Sequence, residues 1–232
     1  MTIVLGMIGH NCSLIAADSR MMKSVFLDNG VPQNKIEVES DSFKKTFQAS
    51  DNKIIGGVSG LMRFSQKTTS DHMAEIFNHV LPSHLSVEEY LDDACKLFKT
   101  RLLEIDEKEV TFQRRSVSFI LSTFLSDDLK NFALYKISFN PTANAINYSI
   151  DKKPKKKLDK KGWEWEIIGD PDAFIATQHF CNSRYYESHQ KDYGNMLSVA
   201  TRAIKKGVSN SSFYYGSEYR CCGGETTIVQ IR

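Results

Sequence analysis

A hydroxyl that could act as a nucleophile stands two residues into the chain. Thr2 follows Met1 and runs directly into the apolar stretch Ile3-Val4-Leu5. A threonine hydroxyl is a weak nucleophile at its ordinary pKa and needs a base beside it. A chain-terminal threonine carries its own: an α-amine of unperturbed pKa about 7.7–8.0 takes the proton directly or through one water. Removal of Met1 would create that pair on Thr2, since an initiator methionine is generally removed before so small a residue. Met-Thr is also a common protein start and decides nothing alone. Other chemistries find less support. Ser59 lies in Gly57-Val58-Ser59-Gly60-Leu61, where the G-x-S-x-G of a nucleophile elbow fails at its last position. The six histidines show no H-E-x-x-H spacing and the five cysteines no Cys-x-x-Cys, so no metal and no cofactor are expected. The odd cysteine count fits a reduced compartment. Adjacent Cys221 and Cys222 read as two buried thiols sooner than as a redox pair.

Positioning such a nucleophile takes rigid strands, and the flanking sequence supplies them. Thr2-Ile3-Val4-Leu5 and Ser13-Leu14-Ile15-Ala16-Ala17 are apolar on both faces, hence covered on both, with His10-Asn11 as the turn. Met21 to Phe43 reads as irregular and polar, with turn signals at Asp28-Asn29-Gly30 and Val31-Pro32. Lys44 to Ser50 and Ile54 to Gly60 form a second pair about Asp51-Asn52. Leu61 to Leu81 is predicted as one amphipathic helix, with Met73, Ile76, Phe77 and Val80 at helical spacing and Pro82 as its stop. Ser86, with Glu89 three residues on, is a capping box that opens a second helix bearing Tyr90, Ala94, Leu97, Phe98 and Leu102. Strands are predicted at Ser116 to Phe124, Phe132 to Phe139, Ala145 to Ile150 and Trp163 to Ile168. Helices follow at Asp172 to Ser188 and Tyr193 to Lys206, then a last strand at Thr226 to Ile231. Strands, two helices, strands, two helices and a strand give an α+β chain of four-layer αββα order, sheets inside, in a single domain spanning 1–232.

The run Thr2-Ile3-Val4 … Ala16-Ala17-Asp18-Ser19-Arg20, then Lys44-Lys45-x-Phe47-Gln48 and Gly57-x-Ser59-Gly60-Leu61, resembles the β-subunit family of the proteasome and its bacterial homologues. The resemblance extends over most of the chain and is strongest in the first third. It implies a sandwich of the N-terminal-nucleophile hydrolase type and a threonine peptidase whose nucleophile is Thr2. It further implies that Asp18, sixteen positions beyond Thr2, holds a lysine charged, and that Lys45 is that lysine. Such a lysine would lower the pKa of both the Thr2 amine and the hydroxyl. Asp18 and Lys45 also read as a structural ion pair at a sheet edge. Lys44 should face the other side of the strand. Gly60 is expected to end a strand, open the first helix and offer its N–H to the oxyanion. Arg20 fits the family's arginine after Asp-Ser, and Met21, Met22 and Val58 fall where the family builds its specificity pocket. The match needs an insertion of about a dozen residues between Arg20 and Phe43, read against the spacing of the motifs.

Three supporting positions depart from the family. Asp170, in Gly169-Asp170-Pro171, stands where a serine would hydrogen-bond the threonine amine. In Tyr219-Arg220-Cys221-Cys222-Gly223-Gly224 the Gly-Gly survives, but Tyr219 takes the aspartate slot and Cys222 the serine slot. Asp170 or Glu218 could supply the missing carboxylate. The family further implies homo-oligomeric rings enclosing peptide or unfolded-protein substrate, and an ATP-dependent unfoldase as partner. Two alternatives stand beside the peptidase: a silent, structural ring subunit, and an N-terminal-nucleophile amidase acting on a small amide.

Bulk composition agrees with a globular domain. Of 232 residues, 41% are hydrophobic and 25% charged, which is ordinary for a chain with a packed core. No segment approaches the roughly 18 consecutive apolar residues of a membrane span, and no charged region precedes the first apolar stretch, so a cytoplasmic protein is expected. The net charge of +2 is weak, and its excess sits in Asp151 to Lys161, where seven lysines have no aromatic interleaved. That run reads as a solvated loop, not a nucleic-acid surface.

Overall fold

The computed structural model describes residues 2–9, 12–25, 35–49, 53–79, 86–123, 133–143, 145–153, 163–187, 193–213 and 220–231. The expectations placed on Met1, His10-Asn11, Asp28 to Pro32, Asp51-Asn52, Pro82, the lysines after Lys153, Glu218 and Tyr219 lie outside these residues.

Strands β1 (Ile3–Ile8) and β2 (Ser13–Asp18) are buried at every position, as their two-faced apolar runs require. With β12 (Glu164–Gly169) and β13 (Thr226–Ile231) they form a four-stranded sheet in the order β12-β1-β2-β13. A five-stranded sheet runs β11-β10-β9-β6-β5, from Ile146–Lys153, Ala133–Pro141, Val117–Thr123, Ile54–Gly60 and Thr46–Ala49. Four α-helices lie among the described residues: α1 (Thr69–His79), α2 (Val87–Leu103), α3 (Pro171–Glu187) and α4 (Tyr193–Asn210). The architecture is mixed α/β with several sheets and four helices.

Three apolar clusters tie these elements together. Val4, Ile15 and Ala17 of the smaller sheet meet Ile55, Ile120 and Leu134 of the larger. On the other side of the larger sheet, Phe47, Phe119 and Phe139 pack with Phe77, Tyr90 and Phe98 of α1 and α2, including an edge-on Phe98–Phe119 pair at 5.2 Å. Ile3, Leu5, Leu14 and Ala16 turn the opposite way, toward Ala173, Ala200 and Ile204 of α3 and α4. The period-2 alternation along β1 and β2 thus feeds two cores at once.

Two segments differ from the sequence reading. The stretch expected to be irregular contains a hairpin of β3 (Met21–Val25) and β4 (Lys35–Ser40), and the second strand carries the polar–apolar alternation of a strand in Lys35-Ile36-Glu37-Val38-Glu39. The helix expected from Leu61 starts at Thr69 instead, because Ser65 (φ 48°) and Gln66 (φ 64°) turn a short hairpin between β7 (Arg63–Phe64) and β8 (Lys67–Thr68). Thr68 then caps α1, accepting from the Asp71 N–H at 3.0 Å. The second helix begins as expected: Ser86 accepts from the Glu89 N–H at 3.2 Å.

A buried histidine fastens the β7–β8 hairpin to both helices. His72 lies face to face with Phe64 at 3.9 Å, and Arg101 donates to its Nδ1 at 3.0 Å. The ring is therefore neutral, with its proton on Nε2, which donates to the Phe64 carbonyl at 3.1 Å. Burial lowers its pKa below 6.5, reinforced by the Arg101 cation and opposed by the Phe64 carbonyl and Glu75, with Lys67 a further cation nearby. In that window the unfolded chain binds the extra proton, so stability falls as pH drops through about 6.5. Urea midpoints at pH 7 and pH 5 should show a shallower acid-side loss in His72→Gln than in the unaltered chain.

Candidate active site

The ends of four strands and two connecting segments converge on Thr2. Register does the first part of the work: Val4 pairs with Ala17 and Ile3 with Gly169, so Thr2 lies beside the C-terminal ends of β2 and β12. Asp18, the last residue of β2, is the hub. Its Oδ1 accepts from the Thr2 hydroxyl at 2.8 Å, the Ile3 N–H at 2.9 Å and the Lys45 ammonium at 3.0 Å. Its Oδ2 accepts from the Gly223 N–H at 3.0 Å and the Arg20 N–H at 3.3 Å. Thr2, Asp18 and Lys45 are all 0% exposed.

Lys45 precedes β5 and so reaches Asp18 from the other sheet, making the ion pair a bond between sheets. Burial lowers the Lys45 pKa, against the pull of Asp18, which raises it. The ammonium is thus more easily deprotonated than a surface lysine. Lys44 is exposed, whereas Lys45 is buried.

Gly60 ends β6 with φ +102°, but α1 does not follow it directly. The Val58 N–H donates to the Lys45 carbonyl and the Leu61 N–H to Ser116. Alternation along the strand therefore places the Gly60 N–H on the edge of β6 from which Lys45 projects. Val58 itself is fully buried in the cluster beneath α1 and α2. Its neighbour Gly57 faces the sheet interface, where an added Cβ would lie 2.5 Å from Val4, so Val58 must face away. It cannot line an exposed specificity pocket, which corrects the sequence expectation. Met21 and Met22, on β3, are partly exposed.

Asp170 holds the other side of Thr2. Its N–H donates to the Thr2 carbonyl at 2.8 Å. Its carboxylate is already engaged, accepting from the Ala173 N–H at 3.0 Å, the Ser212 N–H at 3.2 Å and the Ser212 hydroxyl at 2.9 Å. Asp170 is therefore the N-cap of α3. Gly169 brings this segment close: φ is +134°, and an added Cβ would lie 1.9 Å from the Thr2 oxygen.

Arg20 grips Asp41 through two bonds, 2.6 Å and 3.0 Å, and holds that carboxyl below its usual range. The Gly223 carbonyl accepts from the Ser19 and Arg20 N–H groups, and a Cβ on Gly223 would lie 2.4 Å from the Arg20 guanidinium. Cys222 is fully buried, and burial raises its thiol pKa, with Asp18 adding to the effect. Cys221 and Cys222 are free thiols. Sequence reasoning missed Asp41 and Ser212. Both lie far along the chain from the groups they serve, and no local pattern announces them.

Among the described residues no group of three or more His, Cys, Asp or Glu could hold a metal ion, and no helix is long and apolar enough to cross a membrane. The arrangement is a hydroxyl, a backbone N–H and an ammonium sharing one carboxylate oxygen of Asp18. It fixes the hydroxyl and the ammonium against the same carboxylate, with the cation offsetting the carboxylate's charge.

No family model and no curated protein matches the chain. Among solved structures it is similar to Anbu (ancestral beta-subunit) from Yersinia bercovieri, with a TM-score of 0.55 over 99% of this chain and 81% of that one, at 11% sequence identity. At that identity the likeness is one of fold.

Proposed function

We propose that this is a proteasome-like N-terminal-nucleophile hydrolase that cleaves peptide bonds with Thr2, freed of Met1. The observation that carries the reading is the meeting of the Thr2 hydroxyl, the Ile3 N–H and the Lys45 ammonium on one oxygen of Asp18, within 3.0 Å. The likeness of fold to an ancestral β-subunit supports it. The three apolar clusters support a four-layer αββα sandwich in one domain.

In this reading the Thr2 oxygen attacks the peptide carbonyl while its proton passes to the Thr2 amine, directly or through one water. Lys45 stabilises charge on the attacking oxygen and disfavours a second cation on the amine; Asp18 holds Lys45 in place. The Gly60 N–H meets the oxyanion of the tetrahedral intermediate. The protonated amine then gives its proton to the leaving nitrogen, and water releases the acyl group from Thr2. Met21 and Met22 favour an apolar side chain beside the scissile bond. Homo-oligomeric rings enclosing the sites, and an ATP-dependent unfoldase that feeds them, complete the proposal.

A second reading, a silent structural subunit, is favoured by the 0% exposure of Thr2 and Lys45. Variants separate the two. Thr2→Ala should abolish turnover of an unstructured peptide and leave the assembly intact. Lys45→Ala should lower kcat by at least about a hundredfold, the scale of losing one electrostatic group from such a site. Lys44→Ala should fall within twofold, about the size of a surface effect. Equal rates in all of these variants would favour the silent subunit.

A further inference from the structure

The two holds on Thr2 meet at one short segment. Asp170 reaches the Thr2 carbonyl through its N–H, and Gly223 reaches the Thr2 hydroxyl by way of Asp18. Between them lies Ser211-Ser212. The Ser212 carbonyl accepts from the Cys221 N–H at 2.9 Å, and the Ser211 hydroxyl accepts from the Cys222 N–H at 3.4 Å, so the segment leading to Gly223 is pinned to this pair. On the other side, Ser212 gives both its N–H and its hydroxyl to the Asp170 carboxylate.

Asp170 is 1% exposed, and a buried carboxylate keeps its place only while its oxygens are satisfied. Ala173 supplies one donor and Ser212 supplies the other two among the described bonds. The Ser212 hydroxyl also lies 2.9 Å from Asp172 Oδ2, yet it has one proton to give. Asp172 is exposed and solvated by water, so the proton is worth more to Asp170.

We propose that Ser212 is a positioning residue of the Thr2 site, locking the Asp170 carboxylate so that the Asp170 N–H keeps its hold on the Thr2 carbonyl. This deepens the hydrolase reading and rests on it for its catalytic meaning. Once Met1 is gone, Thr2 loses the peptide bond on its amino side. The Asp170 and Asp18 bonds are then what fix the direction of its hydroxyl.

Amide hydrogen exchange on the full chain tests the proposal, comparing the unaltered protein with Ser212→Ala and Ser212→Thr. In Ser212→Ala the Asp170 and Ile3 amides should exchange about tenfold faster, the scale of a lost bond to a charged group, with α2 amides unchanged. Ser212→Thr keeps the hydroxyl and should restore both. In parallel, the limiting rate of Thr2 modification by an electrophilic peptide should fall in Ser212→Ala while its half-saturating concentration holds. Unchanged Asp170 and Ile3 amides, a rise shared equally by α2, or failure of threonine to rescue would overturn the proposal. The exchange readout needs no turnover, so an inert parent protein would sink the hydrolase reading and leave this comparison legible.

Discussion

Asp18→Asn should lower folding stability by about 3–5 kcal/mol, the cost of removing one partner from a buried ion pair. It should also eliminate reactivity at Thr2. Asp18 and Lys45 are both 0% exposed, and the Lys45 ammonium has been carried from one sheet to meet a carboxylate on the other. Without that charge Lys45 stays buried beside a neutral amide. Its pKa, already lowered by burial, drops further, and the site loses its cation. The Thr2 hydroxyl and the Ile3 and Gly223 N–H groups lose a charged acceptor in the same step. A second substitution separates stability from chemistry. Adding Lys45→Met to Asp18→Asn removes the stranded charge and should regain most of the loss in urea unfolding, because an apolar pair often replaces a buried ion pair at little cost. Reactivity should not return. A stability within about 1 kcal/mol of the parent for Asp18→Asn alone would mean that the pair behaves as a surface bridge does.

Gly169→Ala should be nearly as damaging. The residue sits at φ +134°, and the added Cβ would lie 1.9 Å from the Thr2 oxygen and 2.9 Å from Ile3 Cα. Both neighbours are main chain, so no flexible side chain can swing aside. Strain at such a dihedral and overpacking each cost about 1–3 kcal/mol, and here they act together. A fall of roughly 5–15 °C in Tm is expected at this chain length. The carbonyl of Thr2 must move, breaking its bond from the Asp170 N–H. Gly9→Ala is the control: its Cβ would meet only side-chain atoms, the nearest Cys12 Sγ at 3.1 Å, and its effect should be several-fold smaller. Equal losses in the two variants would remove the special role of Gly169.

Much of this fold was legible because its signals are local. The apolar runs at Ile3 to Leu5 and Ser13 to Ala17, and the Ser86–Glu89 cap, announce themselves within a few residues. The α1 boundary was not legible, because Ser65 and Gln66 adopt left-handed conformations that neither residue type favours. The β3–β4 hairpin escaped although Lys35-Ile36-Glu37-Val38-Glu39 alternates as a strand does, because the turn signals at Asp28 to Pro32 mark the whole stretch as irregular. In the site, Asp18 and Lys45 were legible only through the resemblance of their surrounding motifs to the proteasome β-subunit family, and the structure places the two 3.0 Å apart. Val58 was misplaced because facing follows parity along β6, which a motif does not specify. The roles of Asp170 and Ser212 depend on a contact between residues 42 apart, which one sequence cannot display.

The most direct measurement is the intact mass of the purified protein before and after incubation with an epoxyketone peptide. That reagent closes its ring adduct only on a residue bearing both a hydroxyl and a free α-amine. A chain lacking Met1 that gains one adduct, lost in Thr2→Ala, is the predicted result. Retained Met1 with no adduct would contradict the account and identify the chain as a silent subunit.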